Sequence, residues 1–311
     1  MRHRTLYHQS ILAQLGVRID MVKVDHEFSD SNGGILNATL FDSASETGIL
    51  IIPGIWYPRE AYYKLARDLS LKYKVAIYDQ RGHAMSSGDF NLRGVVEDVA
   101  AVADQLRSLS HMFRLFVVGH SLGGYVAAIA STALPAGLVD GQVLLAPPLS
   151  LNSTARKVPD DLTVFKVYMA GLLKALTPKY RSPMVREYVS FWYPAFRKRP
   201  YLFALRANHP EQIVQEIQSS LDLSHFDNNI SIPTLFLWAG NDRTLGITQG
   251  YPPDYHRFIH SVTSQNTRIN EALIPGLCHQ FNFDDRHKIM ISADNDLAED
   301  RIDDFIRNVG R

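Results

Sequence analysis

The sequence predicts an α/β protein, with a mostly parallel central sheet, helices on both faces and one inserted helical cap. Three observations carry that prediction. Strand-length apolar runs alternate with helix-length segments through most of the chain, and such alternation builds parallel sheets joined by right-handed crossovers. The alternation stops over residues 150–228 and resumes after them. In "VVGHSLGGYVAA" (117–128) a serine stands between glycines where a strand-like run passes directly into a helix-like one.

Taken in order, "VRIDMVKVDHEF" and "GGILNATLFD" read as an antiparallel pair joined at Asn32-Gly33-Gly34. "GILIIPG" (48–54) is a short buried strand, and "PREAYYKLARDLSLKY" (58–73) has helical periodicity with Pro58 suited to a first turn. "KVAIYDQRG" (74–82) is a strand ending in a glycine turn. "LRGVVEDVAAVADQLRSLS" (92–110) is an amphipathic helix, "RLFVVGH" (114–120) a strand and "SLGGYVAAIASTAL" (121–134) a helix. "GQVLLAPPL" (141–149) is a strand stopped by two prolines. Beyond the insert come a strand in "IPTLFLWAGND" (232–242), a helix in "PPDYHRFIHSVTSQ" (252–265), a strand in "RINEALIPGLCH" (268–279) and a closing helix in "DLAEDRIDDFIRNVG" (296–310). The expected units are therefore a first core part (1–149), a cap (150–228) and a second core part (229–311). The middle stretch is too long for a structureless loop.

Bulk properties exclude several classes. With 311 residues and 46% hydrophobic content, the chain can bury a sizeable core. Lys+Arg and Asp+Glu are equal at 32, so no basic surplus argues for nucleic acid. One cysteine, Cys278, rules out an internal disulfide and a cysteine-based zinc cage, and a cytoplasmic protein is the expectation. No apolar run is long enough to span a bilayer, and the charged start lacks the apolar stretch of a secretory signal. There is no H-E-x-x-H and no P-loop, so neither a metal nor an organic cofactor is expected.

The chemistry centres on Ser121. A nucleophile on a sharp strand-to-helix turn adopts strained backbone angles, and bulky residues two positions away would clash; Gly119 and Gly123 avoid this. The helix that follows points its N-terminus at the site, where the Leu122 N–H can receive a developing oxyanion. A plain Gly-Ser turn with Ser121 as helix cap is the alternative.

"GHSLGGYVAA", "DQRGHAMSSG" (79–88), "LFLWAGND" and "IPGLCH", in that order, resemble the landmarks of the α/β-hydrolase superfamily across residues 35–150 and 229–310. The Arg81-Gly82-His83-x-x-Ser86-Ser87-Gly88 stretch resembles the lysophospholipase, monoglyceride-lipase and serine-aminopeptidase-like branch. The resemblance implies an order of serine, then acid, then histidine. His279, in the loop after the last strand, is the expected base, with His287 as runner-up. Asp242, just past "TLFLWAGN", is the expected acid; Asp254, Asp160 and Asp161 are weaker candidates. The resemblance also gives the second oxyanion donor to the Ile55 N–H, after "GILIIPG", although Pro53-Gly54 stands where many relatives have His-Gly. Trp56 and Tyr57 follow as candidate substrate contacts. Asp79, Arg81 and His83 read as loop bracing, and His120 as a residue packed underneath the serine.

The implied function is a serine hydrolase that cleaves a carboxylic ester of a lipid-like or otherwise hydrophobic acyl substrate. Thioesterase, N-terminal aminopeptidase and C–C hydrolase activity use the same triad, and a non-catalytic ligand binder is the rival class. The cap pieces "LTVFKVYMAGLLKALTP" (162–178) and "SFWYPAFRKRPYLFAL" (190–205) would wall an acyl pocket or form a small core of their own. Arg197-Lys198-Arg199 permits weak contact with an anionic membrane surface.

Overall fold

The computed structural model describes residues 23–55, 57–110, 112–148, 232–240, 242, 268–274 and 298–309. The expected cap (150–228) and the expected helix over 252–265 lie outside the described residues. Eight strands form one sheet among the described residues: β1 (Lys23–Ser29), β2 (Ile35–Phe41), β3 (Thr47–Ile52), β4 (Lys74–Tyr78), β5 (Arg114–His120), β6 (Gly141–Leu145), β7 (Thr234–Ala239) and β8 (Ile269–Ile274). Their spatial order is β1-β2-β4-β3-β5-β6-β7-β8. β1 pairs antiparallel with β2, and β2 antiparallel with β4; every other pairing is parallel. Among the described residues four α-helices accompany the sheet: α1 (Tyr63–Ser70), α2 (Leu92–Ser110), α3 (Leu122–Ser131) and α4 (Ala298–Asn308).

Successive side chains of a strand point to opposite faces, so the apolar runs feed two cores. Leu50, Ile52, Val117, Leu144 and Trp238 pack with α2 and α3 on one face. Ile49, Ile51, Val118, Val143 and Leu237 pack with α1 and α4 on the other. The helix over 92–110 buries Val95, Val99, Val102, Ala103 and Leu106, one stripe at three- and four-residue spacing.

Two local features set the scaffold. At the β1–β2 turn, the Asp30 carboxylate accepts the Asn32 and Gly34 N–H groups at 2.7 and 2.8 Å, and Gly33 takes φ +82°. The expected helix over 58–73 divides instead into a 3₁₀ turn, Arg59–Tyr62, and α1. Pro58 stays extended at φ −71°, ψ 155°, outside the first turn where the sequence placed it. The reason is tertiary: the Asp79 carboxylate, at the end of β4, accepts the Arg59 N–H at 2.7 Å and also pairs with the Arg59 guanidinium. Burial pushes the Asp79 carboxyl up, to about 7, while Arg59 pulls in the opposite direction.

α4 is held by charge as well as by its apolar face. Asp303, nearly buried, accepts from Tyr73 Oη at 2.5 Å and Lys72 Nζ at 2.7 Å, and pairs with Arg307 at 2.8 Å. Burial opposes its charge, but the Lys72 and Tyr73 hydrogen bonds hold the carboxyl below the usual carboxylate range.

Candidate active site

Ser121 lies between β5 and α3, with φ 52° and ψ −122°. Such a backbone costs on the order of 1–3 kcal/mol at a non-glycine residue and persists only where its surroundings enforce it. Here they do. The Ser121 N–H donates to Leu145 O on the adjacent strand at 2.8 Å, and its carbonyl accepts from Gly124 and Tyr125 N–H at 2.9 and 3.1 Å. The hydroxyl makes no helix-capping hydrogen bond, so the serine is not spent as a cap. The side chain is half-buried at the C-terminal edge of the sheet.

The glycines have the steric role the sequence suggested. A Cβ on Gly119 would overlap the Gly123 backbone, and one on Gly123 would overlap the carbonyl oxygens of Ile52 and Pro53. The turn thus seats directly on the chain leaving β3. A Cβ on Gly54 would lie 3.2 Å from Ser121 Cβ, so the loop after β3 rests against the serine itself. Among the described residues, neither the Leu122 nor the Ile55 N–H enters a hydrogen bond. Both are the expected oxyanion donors: Leu122 directly follows Ser121, and Ile55 directly follows Gly54, whose backbone lies against the serine.

Asp242 lies three residues past the end of β7 and is fully buried. β5, β6 and β7 are adjacent and parallel, so Ser121 and Asp242 follow strand ends on one edge of the sheet. β8 runs parallel beside β7 and delivers the following chain to that same edge. His279 is five residues beyond it in sequence and lies outside the described residues, as do His287, Asp254, Asp160, Asp161, Cys278 and Trp56. Tyr57 is buried, with its ring edge-on to His120 at 5.5 Å.

The polar run after β4 braces loops. Arg81 grips Asp98 through Nε (2.7 Å) and Nη2 (2.5 Å), and reaches Ser31 Oγ at 2.8 Å. His83 pairs with the Arg81 carbonyl at 3.2 Å and stacks edge-on against Phe90. His120 is fully buried behind the serine, its Nδ1 2.6 Å from Tyr62 Oη. Two site-shaping side chains, Tyr62 and Gln80, were not singled out in the sequence. Each contacts the backbone after β3 through the folded chain, and no local pattern marks such a contact. No group of three or more metal-ligating side chains occurs among the described residues.

Residues 44–286 match the family described as serine aminopeptidase, S33. The chain belongs to this family. Over 73 residues the chain is 38% identical to protein phosphatase methylesterase 1 of Candida albicans, covering 23% of this chain and 20% of that one. Over 124 residues it is 32% identical to human monoglyceride lipase, covering 38% of each. The matched stretches therefore span well under half of either curated relative. Among solved structures, the alpha/beta hydrolase GrgF from Penicillium sp. sh18 superposes with a TM-score of 0.63 at 17% identity, covering 93% of this chain and 99% of that one. That likeness and the mostly parallel eight-stranded sheet establish the α/β-hydrolase fold. The family match and the fold place the chain in the α/β-hydrolase class, and no helix among the described residues is long and apolar enough to cross a membrane.

Proposed function

We propose that this hydrolase cleaves a carboxylic ester through an acyl-enzyme on Ser121. The observation that carries the reading is the strained Ser121 turn, with a hydroxyl that caps nothing and the loop after β3 resting against the serine. His279 takes the Ser121 proton as the hydroxyl attacks the carbonyl carbon. Asp242 holds the imidazole in the right tautomer and stabilises it once charged. The Leu122 and Ile55 N–H groups receive the oxyanion, and the collapsing intermediate expels the alcohol with the proton from His279. Water, activated by His279, then releases the acid and restores Ser121. No metal takes part in these steps.

Support for an ester comes from the two partial relatives, whose names are those of a methylesterase and a lipase acting on monoglycerides. A hydrophobic monoester, such as a monoacylglycerol or a lysophospholipid, is the proposed substrate class, with the acyl chain walled by the cap over 150–228. The family description favours a second reading, hydrolysis of an N-terminal aminoacyl amide on the same residues. A panel running from acetyl to palmitoyl oxygen esters, with matched thioesters and aminoacyl amides, separates them. Ester cleavage should be fastest and should vanish in Ser121→Ala. Faster turnover of aminoacyl amides or thioesters would overturn the ester assignment.

A further inference from the structure

The chain between β3 and the 3₁₀ turn carries the Ile55 N–H, and two buried side chains fix how that chain is turned. A peptide unit is planar, with its C=O and N–H on opposite edges. In the Pro53–Gly54 unit, Gln80 Nε2 donates to the Pro53 carbonyl on one edge. On the other edge the Gly54 N–H donates to Tyr62 Oη at 2.8 Å. Two hydrogen bonds on opposite edges of one plane stop it from rotating. Gln80, Tyr62 and His120 are all buried, so the bonds are shielded from competing water.

The clamp is tied to the serine on both sides. Tyr62 Oη also pairs with His120 Nδ1 at 2.6 Å, and His120 is the residue before Ser121. The Pro53 carbonyl that Gln80 holds is one of the two oxygens against which Gly123 seats. Pro53 has no N–H of its own, so the clamped unit begins at its carbonyl. In the next unit the Gly54 carbonyl accepts the Tyr57 N–H at 3.2 Å. The Ile55 N–H occupies the opposite edge of that second plane and is directed away from Tyr57.

We propose that Gln80 and Tyr62 are positioning residues that clamp the Pro53–Gly54 peptide and thereby aim the Ile55 N–H at the oxyanion. The clamp rests on the ester-hydrolase reading above. It touches neither substrate nor reacting atoms; it acts through Ile55. Hydrogen-bond donors set in place before reaction stabilise developing charge without reorganising, and that advantage is lost when the donor wavers.

The test uses the full chain with Tyr62→Phe and, separately, Gln80→Met. Tyr62→Phe keeps the ring packed against Tyr57 and His120 and removes the hydroxyl that accepts from Gly54 and pairs with His120, whereas Gln80→Met leaves the His120 pairing in place. Gln80→Met keeps the side-chain length and removes the donor, so it serves if Tyr62→Phe does not fold. Thermal melts establish that each variant is folded. Losing one oxyanion donor outright costs about a hundred- to a thousandfold in kcat, so a misaimed donor should cost about ten- to a hundredfold, with KM changed less than about threefold. A trifluoromethyl ketone, which forms a hemiketal oxyanion on the serine, should lose affinity by the same factor as kcat/KM. The double variant should be little worse than the worse single one, because both side chains hold one peptide. Folded variants with wild-type kcat and wild-type ketone affinity would overturn the clamp. A folded wild type lacking Ser121-dependent ester turnover would overturn the ester reading and the clamp with it.

Discussion

Gly123→Ala is a one-methyl change whose consequence follows from the contact geometry. The new Cβ meets the carbonyl oxygens of Ile52 and Pro53, which are backbone atoms at the end of a buried strand and cannot swing aside as a side-chain tip would. Restoring ordinary contact requires the serine turn and the loop after β3 to separate by about 1 Å. Overpacking of this kind typically costs about 1–3 kcal/mol of stability. The catalytic effect should be larger in proportion, because a displacement of about 1 Å between reacting groups costs on the order of a hundredfold. The displacement here opens between Ser121 and the proposed Ile55 donor. The assay pairs a urea melt with steady-state kinetics on the best ester of the panel. The expected result is a modest loss of stability with a kcat/KM loss of about a hundredfold or more. Gly33→Ala is the control: it lies in a distant turn with open space around it, so it should cost stability through its φ of +82° and leave kcat alone. A folded Gly123→Ala with kcat/KM within about twofold of wild type would refute the seating of the serine turn on the β3 loop.

The Asp303 site should govern the docking of α4. Tyr73→Phe removes a buried hydrogen bond to a charged partner and should cost about 1.5–3 kcal/mol in urea melts. The Lys72 and Arg307 side chains are each 57% exposed and should contribute little when replaced singly. Because the folded protein holds Asp303 below its ordinary range, its stabilisation is complete above the unfolded-state value of about 3.9 and is lost as pH falls through the folded value. The stability gap between wild type and Asp303→Asn should accordingly close in acid; a gap that widens would reverse the assignment. Asp98→Ala leaves the buried Arg81 guanidinium with the neutral Ser31 hydroxyl at 2.8 Å and the Asp30 carboxylate at 3.9 Å, and should cost about 3–5 kcal/mol; a loss under about 1 kcal/mol would contradict the bracing role.

Much of the core was legible because its signals are local. The helix over 92–110 and the strand over 114–120 have the bounds read from periodicity, since every turn or pleat repeats the same apolar demand. Ser121 was legible because the glycines that make its turn possible are its near neighbours in the chain. The failures lie where distant residues decide. The run over 58–73 looks helical throughout, yet Asp79 captures the Arg59 N–H and turns the first part into a 3₁₀ turn. The place of β4 between β2 and β3 follows from pairing across the sheet, which alternation alone does not specify. Gln80 and Tyr62 were invisible for the same reason: Gln80 is 27 residues from the Pro53 carbonyl it holds, and Tyr62 lies within an ordinary apolar pattern.

The central claim, that Ser121 is the nucleophile of a serine hydrolase, is tested most directly by covalent labelling. Wild type and Ser121→Ala, each checked for folding by circular dichroism, are treated with a fluorophosphonate and examined as intact proteins by mass spectrometry. A single adduct on wild type, mapped to the peptide containing Ser121 and missing from Ser121→Ala, is the expected outcome. Folded wild type that takes no label, or equal labelling of Ser121→Ala, would contradict it.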